Sequence, residues 1–452
     1  VEAKFLKDFT FTANLAVDET YNMRNRYSNG AHGAGVSVQG AMARVYSDYM
    51  NINSQQTLNW AHDYGKHHVD ALIGHEYNWY RTTNMNYNAT YGLIEGFNNP
   101  VNFLWYFNTG GSSIKGINIA GGEDRESLEG YFARANYVYD NKYYLTGSLR
   151  FDGSSKFRYN DTRWGTFWSV GGAWRLSGES WLADATWLTD LKLRADYGVI
   201  GNQNGIGRYS GYQTWNYQAT ERKQPGSFQP AGWKLSQGGF ANENLTWEKK
   251  QTVDAGLDFR LWDRFYGTID WYQTITDEAL WSAPVSYAMT GQKTLTMNSA
   301  RMRTRGFEFD LGVDIIKTPD ILWSFAVNGA HYKVKMMKAP ESMINQEDAL
   351  HSQKWWYATA DAWNATGGTG SGSAAAYRRW IGGDYYNIIA AKYMGVDKTT
   401  GLPLFGALVT ESNQSKFPNA KVGEVVATTD YSEAYMFDQG DATPDLMGGF
   451  ST

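Results

Sequence analysis

Four histidines lie close together near the start of the chain, and clustered histidines can hold metal ions. His62, His67 and His68 surround a tight turn in the segment HDYGKHH, and His75 follows one strand later. Imidazole is the commonest metal ligand in proteins, and a zinc site needs three or four ligands that converge. A metal site is therefore conceivable. Polar residues that border a hairpin turn explain the same spacing without a metal, and we favour that interpretation.

Two other segments bear a loose likeness to known binding loops. Residues 438–445 read DQGDATPD, but the spacing and the terminal acid of an EF-hand calcium loop are missing. Residues 201–207 read GNQNGIG, but no helix pattern follows them, as a nucleotide-binding loop would require. The signature motifs of P-loop enzymes, serine hydrolases and zinc proteases are absent, and the chain has no cysteine. We therefore expect neither an enzyme nor a bound cofactor.

The composition excludes several classes of protein. The 452 residues include 41 Lys and Arg against 46 Asp and Glu, which gives a net charge of −5. This balance gives no support for nucleic-acid binding, which normally requires a basic face. With 16% aromatic residues and 9 prolines, the chain is not of a disordered type. A mean hydropathy of −0.52 and the lack of an apolar run of about 18 residues exclude a bundle of membrane-spanning helices.

Charged side chains alternate with apolar ones in several segments, which places the two types on opposite faces of a strand. The clearest segment is Val253–Leu261, whose odd positions are all apolar. The charged candidates of this kind are Arg134, Arg150, Asp152, Asp254, Asp258, Arg260, Glu308, Asp310 and Asp314. They could shape a permeation path, pack against a plug inside a barrel, or line a hydrated polar interior with no specific role.

The alternation recurs in about twelve to fourteen segments with no composition break, which indicates one all-β architecture. A soluble β-sandwich would alternate as well, so other features must decide. Tyr131 and Tyr139 mark the two ends of one apolar face. Eight residues of tilted strand span roughly 20 Å, close to the height of a lipid-facing band between two aromatic girdles. The apolar face therefore has the dimensions expected of a membrane-spanning strand.

The connections between these segments alternate in length. Short turns at residues 140–142, 262–264 and 317–320 alternate with long connections at about 201–244 and 336–391. Outer-membrane barrels have short periplasmic turns and long extracellular loops. We therefore predict a transmembrane antiparallel β-barrel, with a soluble glycan-binding or adhesin domain as the alternative.

The long connections are rich in aromatic side chains, which are unfavourable on a wet surface unless something covers them. These candidates are Trp215, Tyr217, Trp233, Trp355, Trp356, Tyr357, Trp363, Tyr385 and Tyr386. Packing within the loop, a partner protein, or a ligand such as a sugar face or a peptide side chain could cover them. The run NATGGTGSGSAAA at residues 364–376 is typical of a flexible loop.

An ordered series of motifs resembles the barrel of SusC/RagA-like TonB-dependent outer-membrane transporters. The series runs from about residue 130 to the last residue, and it is the order of the motifs that is specific. It includes GSLRFDGSSKF at Gly147–Phe157, RWGTFWSVGGAWRLSGESWL at Arg163–Leu182, LKLRADYGVIGNQ at Leu191–Gln203, NENLTWEKKQTVDAGLDF at Asn242–Phe259, NSARMRTRGFEFDL at Asn298–Leu311, MGVDKTTGLPL at Met394–Leu404 and GDATPDLMGGFST at Gly440–Thr452.

The resemblance implies a large barrel of about 22 strands closed by an N-terminal plug. It also implies a TonB-contacting segment and a SusD/RagB-like surface lipoprotein that covers the barrel as a lid. The plug, the TonB segment and the last strands have no counterpart in residues 1–452, so we expect the chain to be the barrel portion of a longer protein. The expected location is the outer membrane of a Gram-negative bacterium of Bacteroidetes type.

The resemblance further implies active import of an oligosaccharide or an oligopeptide, energised through TonB. The expected partners are the lipoprotein, TonB, the substrate, and membrane lipid or lipopolysaccharide. A non-transporting surface binding or adhesin protein and a passive porin are the alternatives.

Overall fold

The computed structural model describes residues 1–38, 40–90, 117–158, 162–219, 233–239, 241–290, 294–340, 344–347, 354–357 and 376–452. Strands dominate these residues. The first strands are β1 Glu2–Phe5, β2 Phe9–Ser28, β3 Ala41–Tyr64, β4 His67–Thr90, β5 Ile117–Tyr139, β6 Tyr143–Ser154, β7 Trp164–Arg175, β8 Leu188–Asn202, β9 Thr214–Ala219, β10 Trp233–Gly239, β11 Glu248–Leu261 and β12 Phe265–Pro284. The remaining strands are β13 Thr294–Lys317, β14 Leu322–Lys338, β15 Ile344–Glu347, β16 Lys354–Tyr357, β17 Ala376–Trp380, β18 Asn387–Ala391, β19 Tyr393–Val396, β20 Pro403–Leu408, β21 Val425–Thr428, β22 Met436–Asp441 and β23 Met447–Ser451.

Helical structure in the described residues is confined to short turns. These are α1 at Tyr287–Thr290 and 3-10 turns at Gly33–Val38, Leu176–Gly178, Ser180–Leu182, Gln414–Lys416 and Tyr431–Glu433. No described helix has the length and apolar character needed to cross a bilayer.

One sheet of 13 strands contains most of the long strands, in the order β1-β2-β3-β4-β5-β6-β7-β8-β11-β12-β13-β14-β23. This number agrees with the twelve to fourteen segments that alternate in the sequence. The long connections hold smaller sheets: the pair β9-β10, the five strands β15-β16-β17-β18-β22, and the three strands β19-β20-β21.

The chain divides into two compact units. The first comprises Val1–His62, Asp70–Arg134 and Arg150–Gly165. The second comprises Asp63–Val69, Ala135–Leu149 and Thr166–Thr452. In both units the antiparallel register keeps side chains of one kind on one face.

In the first unit, the register of β2 with β3 separates apolar from polar side chains. Phe9 pairs with Trp60 and Phe11 with Leu58 on one face. On the other face Asn14 pairs with Gln55 and Thr12 with Thr57. The two strands therefore form an amphipathic ribbon.

In the second unit, the same separation runs across β8, β11, β12 and β13. One row joins Leu193, Leu257, Ile269 and Phe309, and the next row joins Lys192, Asp258, Thr268 and Asp310. The apolar rows are exposed: Val253 keeps 38% and Ile269 41% of their surface. Leu257 and Phe259 are partly exposed as well. No described element covers this face as a second sheet would, which agrees with the prediction of a lipid-facing surface.

The short turns lie where the sequence predicts them. Residues 140–142 join β5 to β6, residues 262–264 join β11 to β12, and residues 318–321 join β13 to β14. Asp140 and Asn141 have φ of 53° and 52°. These residue types tolerate the left-handed region that tight hairpin turns need, because their short polar side chains can bond locally.

The strands extend further than the alternation predicts. Apolar and polar residues alternate over Gly306–Ile315, whereas β13 runs over Thr294–Lys317. Pairing with β12 and β14 continues through residues whose apolar and polar types do not alternate regularly, where Met297, Arg301 and Arg303 share a face. The predicted loop bounds shift for the same reason: β14 ends at Lys338 and not before Met336.

At the end of the sheet opposite the short turns, the chain forms a conventional apolar core. Leu245 is fully buried and Trp247 nearly so, and the Trp247 ring meets Phe167 edge-on at 5.4 Å. Asn298 fixes this segment because its side-chain amide accepts from the Thr246 N–H and donates to the Thr246 carbonyl, each at 2.9 Å. The NENLTWE motif therefore anchors the long connection to the strand ends.

Candidate functional site

The polar face of the second unit centres on Arg194 of β8. Its guanidinium lies 2.6 Å from Asp270, 3.1 Å from Asp258 and 3.5 Å from Asp254. Three strands thus contribute to one ion cluster, which we call the Arg194 cluster. A partly buried guanidinium with several carboxylate partners is well satisfied, so this cluster ties the strands together.

Gly256 makes room for the Arg194 cluster. It pairs with Arg194 on one side and Asp270 on the other. A Cβ at this position would lie 2.5 Å from the Arg194 guanidinium carbon and would also collide with the Asp270 carboxylate. Only glycine lets the ion cluster lie flat on the backbone of β11.

The same face carries more acids than bases. In the three central rows across β8, β11, β12 and β13, the acids are Asp196, Asp254, Asp258, Asp270, Glu308 and Asp310, and the bases are Lys192 and Arg194. A concavity of about 480 Å³ opens beside Thr268, Asp270, Glu308, Asp310 and Asn328. Fields from an acidic, concave surface attract cations and repel anions.

A second ion cluster lies at the short-turn end. Arg260 donates to Asp314 at 3.3 Å and to Asp263 at 3.0 Å, and Lys317 donates to Asp263 at 2.6 Å. The hydrogen bond from Lys317, followed by that from Arg260, holds the pKa of the Asp263 carboxyl below its usual range. Asp314 also accepts from Ser324 at 3.0 Å. These contacts fasten the turn between β11 and β12 to β13 and β14.

The first unit has its own cluster around Arg150. Arg150 donates to Asp152 at 2.7 Å and lies 3.1 Å from Glu76 of β4. A Cβ on Gly130 would lie 2.7 Å from the Arg150 side chain, so glycine again makes room for the charge. Arg134 is exposed in β5.

The structure places six of the nine predicted charges in three separate ion clusters, and one of these clusters centres on Arg194, which the sequence did not single out. Arg194 and Asp270 bring Asp254 and Asp258 into one cluster. The residues Leu191–Val199 also alternate between apolar and polar types, which places Arg194 on the charged face. The missing information was the register between β8 and β11, which no local pattern contains.

The loop aromatics have different environments. Trp215 is 56% exposed in the hairpin of β9 and β10, where the backbones of Tyr217 and Leu235 pair. Tyr385 packs edge-on against Trp281 at 6.4 Å and joins the cluster around buried Met336. Tyr386 meets Tyr385 edge-on at 4.9 Å and keeps 39% of its surface exposed.

The other aromatic candidates are described only by their backbone or not at all. Tyr217 lies in β9, and Trp233 begins β10. Trp355, Trp356 and Tyr357 lie in β16, which pairs with β17. Trp363 lies outside the described residues.

Each of the four histidines considered as metal ligands contacts a different partner. His62 contacts Asp8 at 2.9 Å, His67 contacts Tyr137 at 2.7 Å and His68 contacts Asp63 at 2.6 Å. His75 lies between Gln56 and Glu129, at 3.0 and 3.2 Å. The described part of the chain holds no group of three or more metal-ligating side chains.

The two motif-like segments begin at strand ends, residues 201–202 in β8 and 438–441 in β22, and continue as turns held by their own side chains. Asp441 accepts from the backbone and the hydroxyl of Thr443 at 3.2 and 3.1 Å. Asn202 accepts from the N–H of Asn204 at 3.0 Å and donates to Glu248 at 2.9 Å. Strand structure and turns, with no helix, follow residues 201–207 up to residue 219.

Comparison with known proteins gives a consistent family. The family model described as TonB dependent receptor-like, beta-barrel matches residues 3–401. TonB-dependent receptor P3 of Formosa agariphila is 30% identical over 309 residues, which is 68% of this chain and 29% of that protein. TonB-dependent receptor SusC of Bacteroides thetaiotaomicron is 37% identical over 205 residues, 45% of this chain and 20% of that protein.

A solved structure of the RagAB peptide transporter shares the fold. The likeness covers 99% of this chain and 44% of the matched chain, with a TM-score of 0.76 and 21% sequence identity. The chain thus spans less than a third of the length of these two curated relatives and less than half of this structural neighbour.

Proposed function

The chain belongs to the family of TonB-dependent receptor-like β-barrels, and from this premise we propose that it is the barrel portion of an active importer. The family consists of outer-membrane transporters and receptors, not enzymes. The proposed cargo is a nutrient oligomer, either a glycan or an oligopeptide. The observation that carries the proposal is the match of the family model to residues 3–401, together with a sheet that is apolar on one face and charged on the other.

The physical argument starts from the two faces. A closed barrel pairs every backbone group inside lipid, so an apolar outer face is stable there. A barrel of about 22 strands leaves a wide lumen that needs a plug to keep the membrane tight. The Arg194 cluster and its acidic neighbours would face that lumen. Release of cargo inward then requires displacement of the plug, and TonB would supply the work.

The likeness to two relatives supports the proposed partners. RagAB is described as a peptide transporter, and SusC as a TonB-dependent receptor. We propose that this chain pairs with a SusD/RagB-like surface lipoprotein, which would cover the long connections at about 201–244 and 336–391 on the extracellular side. The short turns would then face the periplasm. The proposed location is the outer membrane of a bacterium of Bacteroidetes type.

Conductance and binding of the full-length protein test this proposal. A plugged importer should be closed in a planar bilayer, and calorimetry should detect binding to members of a glycan panel or a peptide panel. A permanently open channel would indicate a passive porin. A protein that stays soluble without detergent would indicate an adhesin. Binding to neither panel would contradict import.

The aromatic loop residues offer a sharper test. Replacing Trp355 and Trp356 by Ala should weaken ligand or lid binding by about 1–3 kcal/mol if they are anchors. The matched control is Trp187→Ala with Trp262→Ala, a pair of exposed rings 6.4 Å apart at the short-turn end. Equal effects of the two double variants would assign Trp355 and Trp356 to loop packing.

A further inference from the structure

The apolar face of β13 and β14 ends in a group of four basic side chains. The register pairs Arg305 with Lys333 and, two residues further from the short turn, Arg303 with Lys335. Side chains two residues apart share a face. These four residues therefore continue the face of Phe307 and Phe309, and we call them the basic patch.

The basic patch lies directly beyond a row of rings. Trp271 pairs with Phe307, and Phe307 with His331. Trp271 and Phe307 keep 47% and 41% of their surface exposed. Eight residues separate Phe307 from Ile315 near the short turn, which is roughly 20 Å of tilted strand and matches a hydrocarbon band. The ring row thus marks the bilayer boundary, and the basic patch lies at the depth of the headgroups.

The arrangement is unfavourable without an anion. Like charges directly opposite each other across two strands repel, and the basic patch contains two such pairs side by side. Arg305 donates to Gln273, which is neutral. Among the described residues, none of the four forms an ion pair within 4.0 Å. Asp384 lies opposite Lys335 on the other edge of β14, beyond that distance.

The next basic residue along β13, in contrast to these four, forms an ion pair. Arg301 makes a two-point contact with Asp277, at 2.8 and 2.7 Å. This cation is neutralised within the protein. The two residue pairs nearest the ring row have no such acidic partner among the described residues, so an external anion would have to supply the balance there.

We propose that the basic patch binds the phosphate of a phosphorylated glycolipid in the outer leaflet, as in lipopolysaccharide. Cross-strand side chains start about 5 Å apart and neighbouring pairs about 7 Å apart, so four cations converge on the space of one phosphate. Arginine guanidinium groups suit phosphate because they donate two parallel hydrogen bonds. The acyl chains would lie along the apolar rows below. The site needs the membrane-spanning fold but is independent of the imported cargo.

Purified full-length protein in neutral detergent can test the proposal with lipid A as the probe. The test variant is Arg305→Gln with Lys333→Gln. The matched control is Lys398→Gln with Lys421→Gln, which removes the same charge from exposed loops. Native mass spectrometry measures retained diphosphoryl lipid A, and melting temperature measures its stabilising effect. Phosphatidylcholine and inorganic phosphate are the comparison ligands.

We expect wild type and control to retain diphosphoryl lipid A and to melt at a higher temperature in its presence. The test variant should lose about tenfold in retention and most of the melting shift. Without lipid it should be at least as stable as wild type, because the cross-strand repulsion is relieved. Unchanged retention in the test variant would overturn the proposal. An equal melting shift with phosphatidylcholine or with inorganic phosphate alone would also overturn it.

Discussion

The strands of the main sheet and the connections at its far end treat apolar side chains in opposite ways. On the strands, Ile269 and Phe307 each keep 41% of their surface exposed. In the connections, Leu245 and Val409 are almost completely buried. Both regions belong to the second unit and contain similar residue types, so composition does not explain the difference.

The medium that surrounds each region explains this difference in the exposure of apolar side chains. Lipid tails are as apolar as a leucine side chain, so an outward-facing Ile269 gains nothing from burial within the protein. In the proposed arrangement the connections lie in water, where burial of apolar surface drives packing. A single chain therefore carries two kinds of hydrophobic surface, and the basic patch lies at the border between them.

The largest expected effect on stability comes from shortening one buried side chain, compared with one exposed side chain on the strands. Leu245→Ala should lower the free energy of unfolding by about 2–5 kcal/mol, because it leaves a cavity in a packed core. Ile269→Ala should cost about 1 kcal/mol or less, because lipid fills the space. Urea unfolding in lipid vesicles measures both. Equal costs would mean that Ile269 packs against protein.

A smaller effect is expected when a glycine is replaced by alanine on each of the two faces of the sheet. A Cβ on Gly306 would lie 2.6 Å from the Tyr272 ring on the polar face, so Gly306→Ala should destabilise by about 1–3 kcal/mol. On the apolar face, a Cβ on Gly147 meets its nearest atom at 4.0 Å. Gly147→Ala should change stability by no more than about 0.5 kcal/mol. If Gly306→Ala were as well tolerated as Gly147→Ala in the same unfolding assay, the polar face would be less tightly packed than these contacts indicate.

The smallest effect concerns the short turns, where charges are exposed to water. Because Lys317 and Arg260 lower the pKa of Asp263, its ionised form stabilises the folded state above about pH 4, and this contribution disappears as the pH falls through the lowered pKa. Asp263→Asn should therefore lower the melting temperature slightly at pH 7. The difference from wild type should shrink below about pH 4. A difference that persists at low pH would show that the contact does not depend on charge.

Much of the fold could be predicted because alternation is local. A strand in contact with lipid on one side and polar groups on the other must alternate, and Val253–Leu261 shows this without any knowledge of its neighbours. The short turns at 140–142 and 262–264 were also predicted correctly, because Asn and Asp favour tight hairpins. The alternation does not mark the outer half of β13, because apolar residues such as Met297 and Met302 lie on both of its faces among polar ones.

The candidate site was less accessible to prediction. Asp254, Asp258 and Arg260 were selected as three similar charges, but Arg260 belongs to the short-turn cluster while the two acids bind Arg194. Tyr385 was one of nine equivalent aromatic candidates, and only its contact with Trp281 assigns it to loop packing. These distinctions depend on pairs of residues about 60 to more than 100 positions apart in the chain.

The amino-acid sequence alone determined which side of each strand is apolar, where the tight turns fall and which family the motifs resemble, because each of these is written in neighbouring residues. Only the tertiary structure decided which charges share a cluster, which glycines lie beneath a ring or an ion pair, and that four cations meet beside Phe307 with no ion pair to another described residue. The physical reason is strand register: it brings distant residues opposite each other, and a slip of one residue would move every one of them to the other face.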